Sequence, residues 1–237
     1  NDNPSIPEII REELKKASDE KNRISGQRFF KEEVRMYGVK TAVVEKLADS
    51  HFKMLSDPSK SEVFGYCELL WKSGMIEETF IACNWAYRFR KQFEPADFDT
   101  FERWVSQYVN NWASCDTICN HTIGEFVVRY PEFLSRLKVW TKSENRWMRR
   151  AAAVTLIIPA RQGKFLDDIF AIAEILLHDK DDMVQKGYGW MLKAASQAHQ
   201  DKVFRFVLRH RADMPRTALR YAIEKMPADL KKEAMKK

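Results

Sequence analysis

The chain has 237 residues, 45% hydrophobic and 31% charged, a composition that excludes disordered and collagen-like proteins and predicts a soluble globular protein with a sizeable core. No run approaches the roughly eighteen apolar, uncharged residues of a membrane helix, and the amino terminus lacks the basic-then-apolar build of a secretory signal, so we expect a cytoplasmic protein without a membrane partner. The net charge of +6 comes from residues 202–237, which contain eleven Lys or Arg and four Asp or Glu. This basic segment is either a patch that faces nucleic acid or a solvated helix face.

Apolar residues recur at intervals of three and four along almost the whole chain, as in residues 62–71, and no stretch alternates with period two. This periodicity predicts an all-α protein. Pro58, Pro95 and Pro131 indicate helix starts, because a first turn tolerates the missing N–H of proline. These prolines lie 37 and 36 residues apart, the length of one helix-turn-helix unit in helical-repeat proteins. We therefore expect one domain over residues 1–237, with about six helical pairs stacked into a curved solenoid.

The segment NNWASCDTICNH places Trp112 and Asp116 four positions apart, so both project on one side of a helix. Cys115, Cys119 and Ile123 fall in the same sector and make it apolar. An ionised carboxylate is costly there unless a cation approaches it. Asp116 is therefore either a capping or salt-bridged structural residue or a functional carboxylate.

The cysteines of this segment do not indicate a metal site. Cys115, Cys119 and His121 lack a fourth ligand, and three ligands on one helix do not form a tetrahedron without help. No oxyanion motif accompanies them either, so a Cys–His hydrolase has no support. We expect no metal and no other cofactor. All four cysteines lie in helix-like segments, which predicts reduced core residues: Cys67, Cys83, Cys115 and Cys119.

The segment SENRWMRRAAAV contains the candidate cations. If Trp147, Ala151 and Val154 form the packed stripe of a helix, Arg149 projects to the opposite side and Arg150 lies on the flank of the stripe. Arg150 would then either border a groove or cover its own helix with its aliphatic stem.

The segment MVQKGYGWMLKAAS carries two glycines inside a helical pattern, Gly187 and Gly189, each costing about 1 kcal/mol relative to alanine. Either close helix packing or the approach of a ligand backbone beside Trp190 would explain them. Trp112, Arg150 and Trp190 lie 38 and 40 residues apart. Since positions one repeat apart line one surface of a solenoid, we expect these three side chains and Asp116 to converge.

Three motifs in these segments resemble the DNA alkylation repair family, the AlkD-like alkylpurine DNA glycosylases. They are W-x-x-x-D from Trp112 to Asp116, W-x-x-x-x-N-x-W-x-x-R-A-A from Trp140 to Ala152, and V-Q-K-x-x-G-W from Val184 to Trp190. The likeness extends over most of the chain. It implies a right-handed α-α superhelix of HEAT-like repeats with a concave basic groove.

The resemblance also implies an activity, that of a monofunctional DNA glycosylase hydrolysing the N-glycosidic bond of cationic N3- and N7-alkylated purines. It makes Asp116 the catalytic carboxylate, Trp112 and Trp190 the aromatics that hold the damaged nucleotide, and Arg150 the groove arginine. Arg150 or the charge of the lesion would keep the carboxylate ionised. The partner would be duplex DNA containing alkylated bases, and we expect a monomer that is nucleoid-associated when bound to DNA.

The chain departs from the family at Phe29 and Phe30, where the resemblance predicts a tyrosine. A hydroxyl contact is therefore not expected from this position, and core packing is favoured over contact with a nucleotide. Basic residues outside the three motifs are candidate phosphate contacts. The candidates are Arg28, Lys40, Arg205, Arg209, Arg216 and Arg220, together with Lys186 of the third motif.

Two other functions fit the predicted shape. The first is a noncatalytic helical-repeat protein that binds bent or branched DNA, against which the presence of Trp112, Asp116, Arg150 and Trp190 argues. The second is a helical scaffold for protein partners, which would lack a continuous basic stripe. Binding that weakens steeply as salt rises would favour DNA over a protein partner.

Overall fold

The computed structural model describes residues 3–237, and within that range it contains helices and no β-strand. Helix accounts for 72% of the residues, so the predicted all-α class is confirmed. No helix in this described range combines the length and the apolar character needed to cross a bilayer. The chain divides into two compact units, one ending at Thr117 and the other running from Ile118 to Lys237. The expected single domain of about six helical pairs stays a prediction.

The first unit packs its helices around a core rich in tryptophan and phenylalanine. Its α-helices are α1 (Ile6–Lys16), α2 (Glu20–Gln27), α3 (Thr41–Met54), α4 (Lys60–Lys72), α5 (Ile76–Tyr87), α6 (Asp97–Tyr108) and α7 (Trp112–Thr117), with a 3-10 helix at Arg90–Gln92. Helix α5 packs against α3, α4 and α7. Trp71, Trp85 and Trp104 are almost completely buried, and they supply much of the apolar area that stabilises this unit.

The second unit is built around its longest helix. It begins with a π-helix (Ile118–Ile123), followed by α8 (Gly124–Arg129), a 3-10 helix (Pro131–Phe133), α9 (Leu134–Trp140), α10 (Arg146–Val154), α11 (Ile157–Arg161), α12 (Leu166–Leu176), α13 (Asp182–Ala198), α14 (Gln200–His210), α15 (Arg216–Ile223) and α16 (Ala228–Ala234). Helix α13 packs against α10, α11, α12, α14 and α15. Its position at the centre of the unit explains why the third sequence motif is largely buried.

The prolines mark helix starts less closely than predicted. Helix α4 begins two residues after Pro58, behind Ser59, whose hydroxyl accepts the Glu62 N–H at 3.1 Å and so caps the helix. Helix α6 likewise begins two residues after Pro95. Of the three prolines, Pro131 lies in a first turn, that of the 3-10 helix before α9. The first-turn assignment is therefore wrong for Pro58 and Pro95.

The four cysteines are buried and form no disulfide among residues 3–237, which confirms their predicted place in the core. Burial raises the pKa of the Cys67 thiol, which is fully enclosed and donates to the carbonyl of Ala82 at 3.4 Å. A thiol held in its neutral form is a poor nucleophile. Cys67 thus acts as a small hydrophobic residue of the first unit.

Gly189 allows α13 and α15 to approach each other closely. A Cβ atom at this position would lie 2.7 Å from the Cβ of Tyr221 and 2.8 Å from the carbonyl oxygen of Ala218. Both distances are shorter than van der Waals contact, and one of the neighbours is backbone. Close helix packing therefore explains this glycine.

We predict that Gly189→Ala destabilises the protein by about 1–3 kcal/mol, because the added methyl group overpacks the α13–α15 contact. Gly65→Ala is the matched control, since a Cβ there would meet no atom within 4 Å and alanine favours helix α4. Urea unfolding midpoints measure both effects. A Gly189→Ala variant as stable as the wild type would show that the two helices separate at no cost.

Candidate active site

Trp112 is the first residue of α7, and its indole is half-buried. The indole N–H donates to the carbonyl of Phe29 at 3.1 Å, and the ring stacks on Phe30 with the centroids 5.4 Å apart. The loop after α2 therefore fixes the orientation of the tryptophan. Since its N–H is already used, a ligand would contact Trp112 through the ring.

Asp116 lies one helical turn after Trp112 and is 8% exposed. Polar contacts around this turn hold α7 against α5. The Ser114 hydroxyl lies 2.8 Å from that of Thr79, and the side-chain oxygen of Asn111 accepts the Ser114 N–H at 2.9 Å. The predicted helical spacing of the indole and the carboxylate is therefore present, on a turn whose position is fixed.

A π-helix starts at Ile118, two residues after this carboxylate. Such wide turns insert an extra residue into a helix and are frequent at functional sites. The residue pattern gave no sign of it, because Cys119 and Ile123 keep the spacing of an ordinary α-helix. Both are nevertheless completely buried, as their apolar character predicts.

A cavity of about 430 Å³ lies beside Trp112 in the first unit. Its walls come from α2, α3, α5 and the loop between α2 and α3. They are mostly aromatic or apolar, and Lys40 adds a cation. The aromatic residues that line it are Phe29, Phe30, Phe80 and Trp112. Phe29 is 73% exposed, so the favoured core packing is wrong for this residue. Phe30 carries the contact with the indole instead.

Glu77 holds the loop that forms one wall of this cavity. Its carboxylate is 3% exposed and accepts the backbone N–H groups of Tyr37, Gly38 and Val39 at 3.0, 2.9 and 3.1 Å. Gly38 has a φ of +85°, a backbone conformation that favours glycine. The loop leading to Lys40 is therefore fixed by one buried carboxylate from α5.

The adjacent carboxylate, Glu78, anchors the same loop through side chains. It is completely buried, accepts two hydrogen bonds from Arg11 at 2.9 and 3.3 Å, and accepts the Tyr37 hydroxyl at 2.7 Å. Burial, and then the hydrogen bond to Glu78, raise the pKa of Tyr37. The same carboxylate raises the pKa of Arg11. Tyr37 and Arg11 therefore keep the protons that they donate to Glu78.

Arg149 and Arg150 of α10 lie on different sides of the helix, as predicted. Arg149 donates to Asp179 at 2.8 Å and to the carbonyls of Ser143 and Glu144, away from the packed stripe. Arg150 is 5% exposed and donates to the carbonyl of Met183 at 2.6 Å. The flank position of Arg150 is thus buried against α13.

A third arginine of α10 fixes the start of α13. Arg146 makes two hydrogen bonds with Asp181, at 2.6 and 3.1 Å, and Asp181 caps α13 by accepting the N–H groups of Met183 and Val184. Although burial alone raises the pKa of Asp181, these contacts outweigh it and lower the pKa. A carboxylate whose charged form is favoured therefore joins α10 to the start of α13.

Gly187 and Trp190 lie one turn apart on α13. A Cβ at position 187 would lie 3.3 Å from Cγ of Arg150, so the glycine leaves room for the buried arginine. The close approach predicted for this glycine therefore comes from a side chain of α10. Trp190 is half-buried. The Arg150 side chain of α10 thus packs against α13 about one turn before this indole.

The predicted phosphate contacts differ in their freedom to reach DNA. Lys186 pairs with Asp182 at 2.8 Å, and Arg216 donates to the carbonyl of Met235 at 3.2 Å. The others are exposed and form no ion pair within residues 3–237: Arg28, Lys40, Arg205, Arg209 and Arg220. These five are the better candidates for binding a phosphate backbone.

The comparisons with known proteins agree with these motifs. A family model described as "DNA alkylation repair enzyme" matches residues 10–226. The chain belongs to this family. A solved structure of a predicted DNA alkylation repair enzyme from Enterococcus faecalis matches 89% of this chain and 97% of its own, with a TM-score of 0.79 and 16% identity. At that identity the likeness shows the fold alone, an all-helical fold consistent with an α-α superhelix. No curated protein sequence matches significantly.

Membership of the DNA alkylation repair enzyme family confirms the resemblance seen in the sequence and supports DNA repair as the process. It also implies DNA as the partner. The roles of Trp112, Asp116, Arg150 and Trp190 stay predictions, as does their meeting at one nucleotide. The HEAT-like repeat and the basic concave groove also stay predictions.

Proposed function

We propose that this member of the DNA alkylation repair family is a monofunctional DNA glycosylase for cationic N3- and N7-alkylated purines in duplex DNA. The observation that carries the proposal is Asp116, a carboxylate only 8% exposed, one turn from an indole beside an aromatic cavity. A buried carboxylate next to an aromatic ring suits the stabilisation of a developing positive charge.

The protein needs to supply little catalysis for the departure of the base. Alkylation at N3 or N7 gives the purine a positive charge, so the base departs with the electron pair of the glycosidic bond and becomes neutral. The sugar is left with oxocarbenium character. We assign the stabilisation of this sugar to Asp116, which interacts more strongly with the transition state than with the neutral ground-state sugar.

Water completes the hydrolysis. A water oxygen bonds to the sugar carbon that the base has left, and its proton passes to Asp116 and then to solvent, leaving an abasic site. As the family resemblance implies, we assign the rings of Trp112 and Trp190 to holding the nucleotide. Arg150, which is buried against α13, would position that helix. In this scheme no metal or cofactor takes part.

The proposal predicts release of free base from a duplex that contains one N7-methylguanine. We expect the wild-type protein to release N7-methylguanine faster than spontaneous depurination and to leave an alkali-sensitive abasic site without cutting the strand. Base release is measured by chromatography and strand scission on a denaturing gel. Tight, salt-dependent binding of the duplex with no release of base would instead favour the noncatalytic DNA-binding alternative.

A further inference from the structure

Phe29 is a large aromatic side chain that is 73% exposed beside a candidate site residue. Its backbone is nevertheless held on both sides. Its N–H donates to the carbonyl of Gly26 at 3.2 Å, and its own carbonyl accepts the indole N–H of Trp112 at 3.1 Å. The next residue, Phe30, stacks on that indole. The exposed ring is thus presented by a fixed backbone, at the cost of leaving much apolar surface in water.

The ring stands at the cavity already described, whose volume of about 430 Å³ lies within the usual range for small-ligand sites. Phe80 and Met36 also line the cavity, so a flat group entering it would meet aromatic and apolar surfaces. The carboxylate of Glu77, which also lines it, is already occupied by three backbone N–H groups.

Two cations lie near this aromatic surface in the sequence or in the cavity wall. Arg28 directly precedes Phe29, and Lys40 lines the cavity. Both are exposed, and neither belongs to an ion pair within the described part of the chain. An exposed aromatic ring with cations nearby, one next to it in sequence and one in the cavity wall, is complementary to a nucleotide, which offers a flat base and flanking phosphates.

We propose that Phe29 and this cavity receive an unstacked nucleobase of the bound DNA, with the ring of Phe29 stacking on the base and Arg28 and Lys40 contacting the flanking phosphates. Base–aromatic stacking offsets the loss of stacking within the duplex, as in proteins that insert apolar side chains between base steps. The proposal rests on the glycosylase function and extends it, because it identifies an unstacked base near the lesion that the protein contacts.

The test uses duplexes with 2-aminopurine either opposite a tetrahydrofuran abasic analogue or in a fully paired site. Phe29→Ala is expected to weaken binding of the abasic duplex about tenfold or more and to leave binding of the paired duplex unchanged. Phe29→Leu, which keeps apolar area without a π face, should behave like Phe29→Ala. Phe29→Tyr should bind as the wild type does. Met54→Ala removes another highly exposed apolar side chain, 72% exposed on α3, and should change nothing.

Fluorescence reports the stacking directly. The wild-type protein should quench the unpaired 2-aminopurine on binding, and Phe29→Leu should not. Wild-type affinity of both Phe29→Ala and Phe29→Leu for the abasic duplex overturns the inference, and so does an equal loss on both duplexes. Binding that depends on Phe29 without any base release would refute the glycosylase proposal alone. Excision with unchanged Phe29→Ala binding would refute the stacking site alone.

Discussion

Asp116→Asn is expected to slow the release of N7-methylguanine by about 100-fold or more while leaving the affinity for duplex DNA unchanged. The substitution keeps the shape of the side chain and removes its negative charge, so it removes the interaction that strengthens as the sugar becomes cationic. Losing one electrostatic contact to a transition state typically costs a factor of about 100 to 1,000 in rate. Single-turnover kinetics on a duplex with one lesion measure the effect.

Asp97→Asn is the matched control for this experiment. Asp97 is also 8% exposed, but it pairs with Lys60 at 2.8 Å and accepts the backbone N–H of Glu94. Its substitution should lower stability and leave the excision rate of the folded protein unchanged. Wild-type excision by Asp116→Asn, or an equal slowing by both substitutions, would remove Asp116 from the catalytic role.

Glu77→Ala is expected to destabilise the protein by about 3 kcal/mol or more. The change leaves the N–H groups of Tyr37, Gly38 and Val39 without their acceptor; that of Gly38 is buried, those of Tyr37 and Val39 are partly buried, and an unsatisfied buried group costs roughly 1–3 kcal/mol. The loop should loosen together with Lys40, which follows it directly. Thermal unfolding should show a lower midpoint, and the amide groups of residues 37–39 should exchange hydrogen faster.

Glu45→Ala provides the comparison, because Glu45 is an exposed residue of α3. Its replacement should change stability by no more than about 0.5 kcal/mol. A Glu77→Ala variant with wild-type stability and slow exchange at residues 37–39 would mean that water replaces the carboxylate at no cost.

Much of the local structure follows from the helix period. The spacing of Trp112 and Asp116 places both on α7, and the positions of Arg149 and Arg150 on α10 match the side of the helix assigned to each. These features depend on the order of residues along one helix. A single sequence therefore suffices to predict them.

Features that depend on distant partners could not be predicted in this way. The acidic pair Glu77–Glu78 has the composition of a solvated first turn, yet its partners Tyr37 and Arg11 lie far earlier in the chain. Phe29 and Phe30 are the same residue type, and the structure alone separates the exposed ring from the one stacked on Trp112. Residue type gives the hydrophobicity of a side chain and not the neighbour that covers it.

The most direct test compares a cationic lesion with a neutral one in otherwise identical duplexes. N7-methylguanine leaves as a neutral base, whereas hypoxanthine would need a proton from the enzyme, and no acid is assigned to that step. We predict that the wild-type protein releases N7-methylguanine at least 100-fold faster than hypoxanthine, a ratio in the range that one general acid contributes. Equal release of both bases, or release of N7-methylguanine no faster than spontaneous depurination, would contradict a glycosylase that acts on cationic alkylpurines.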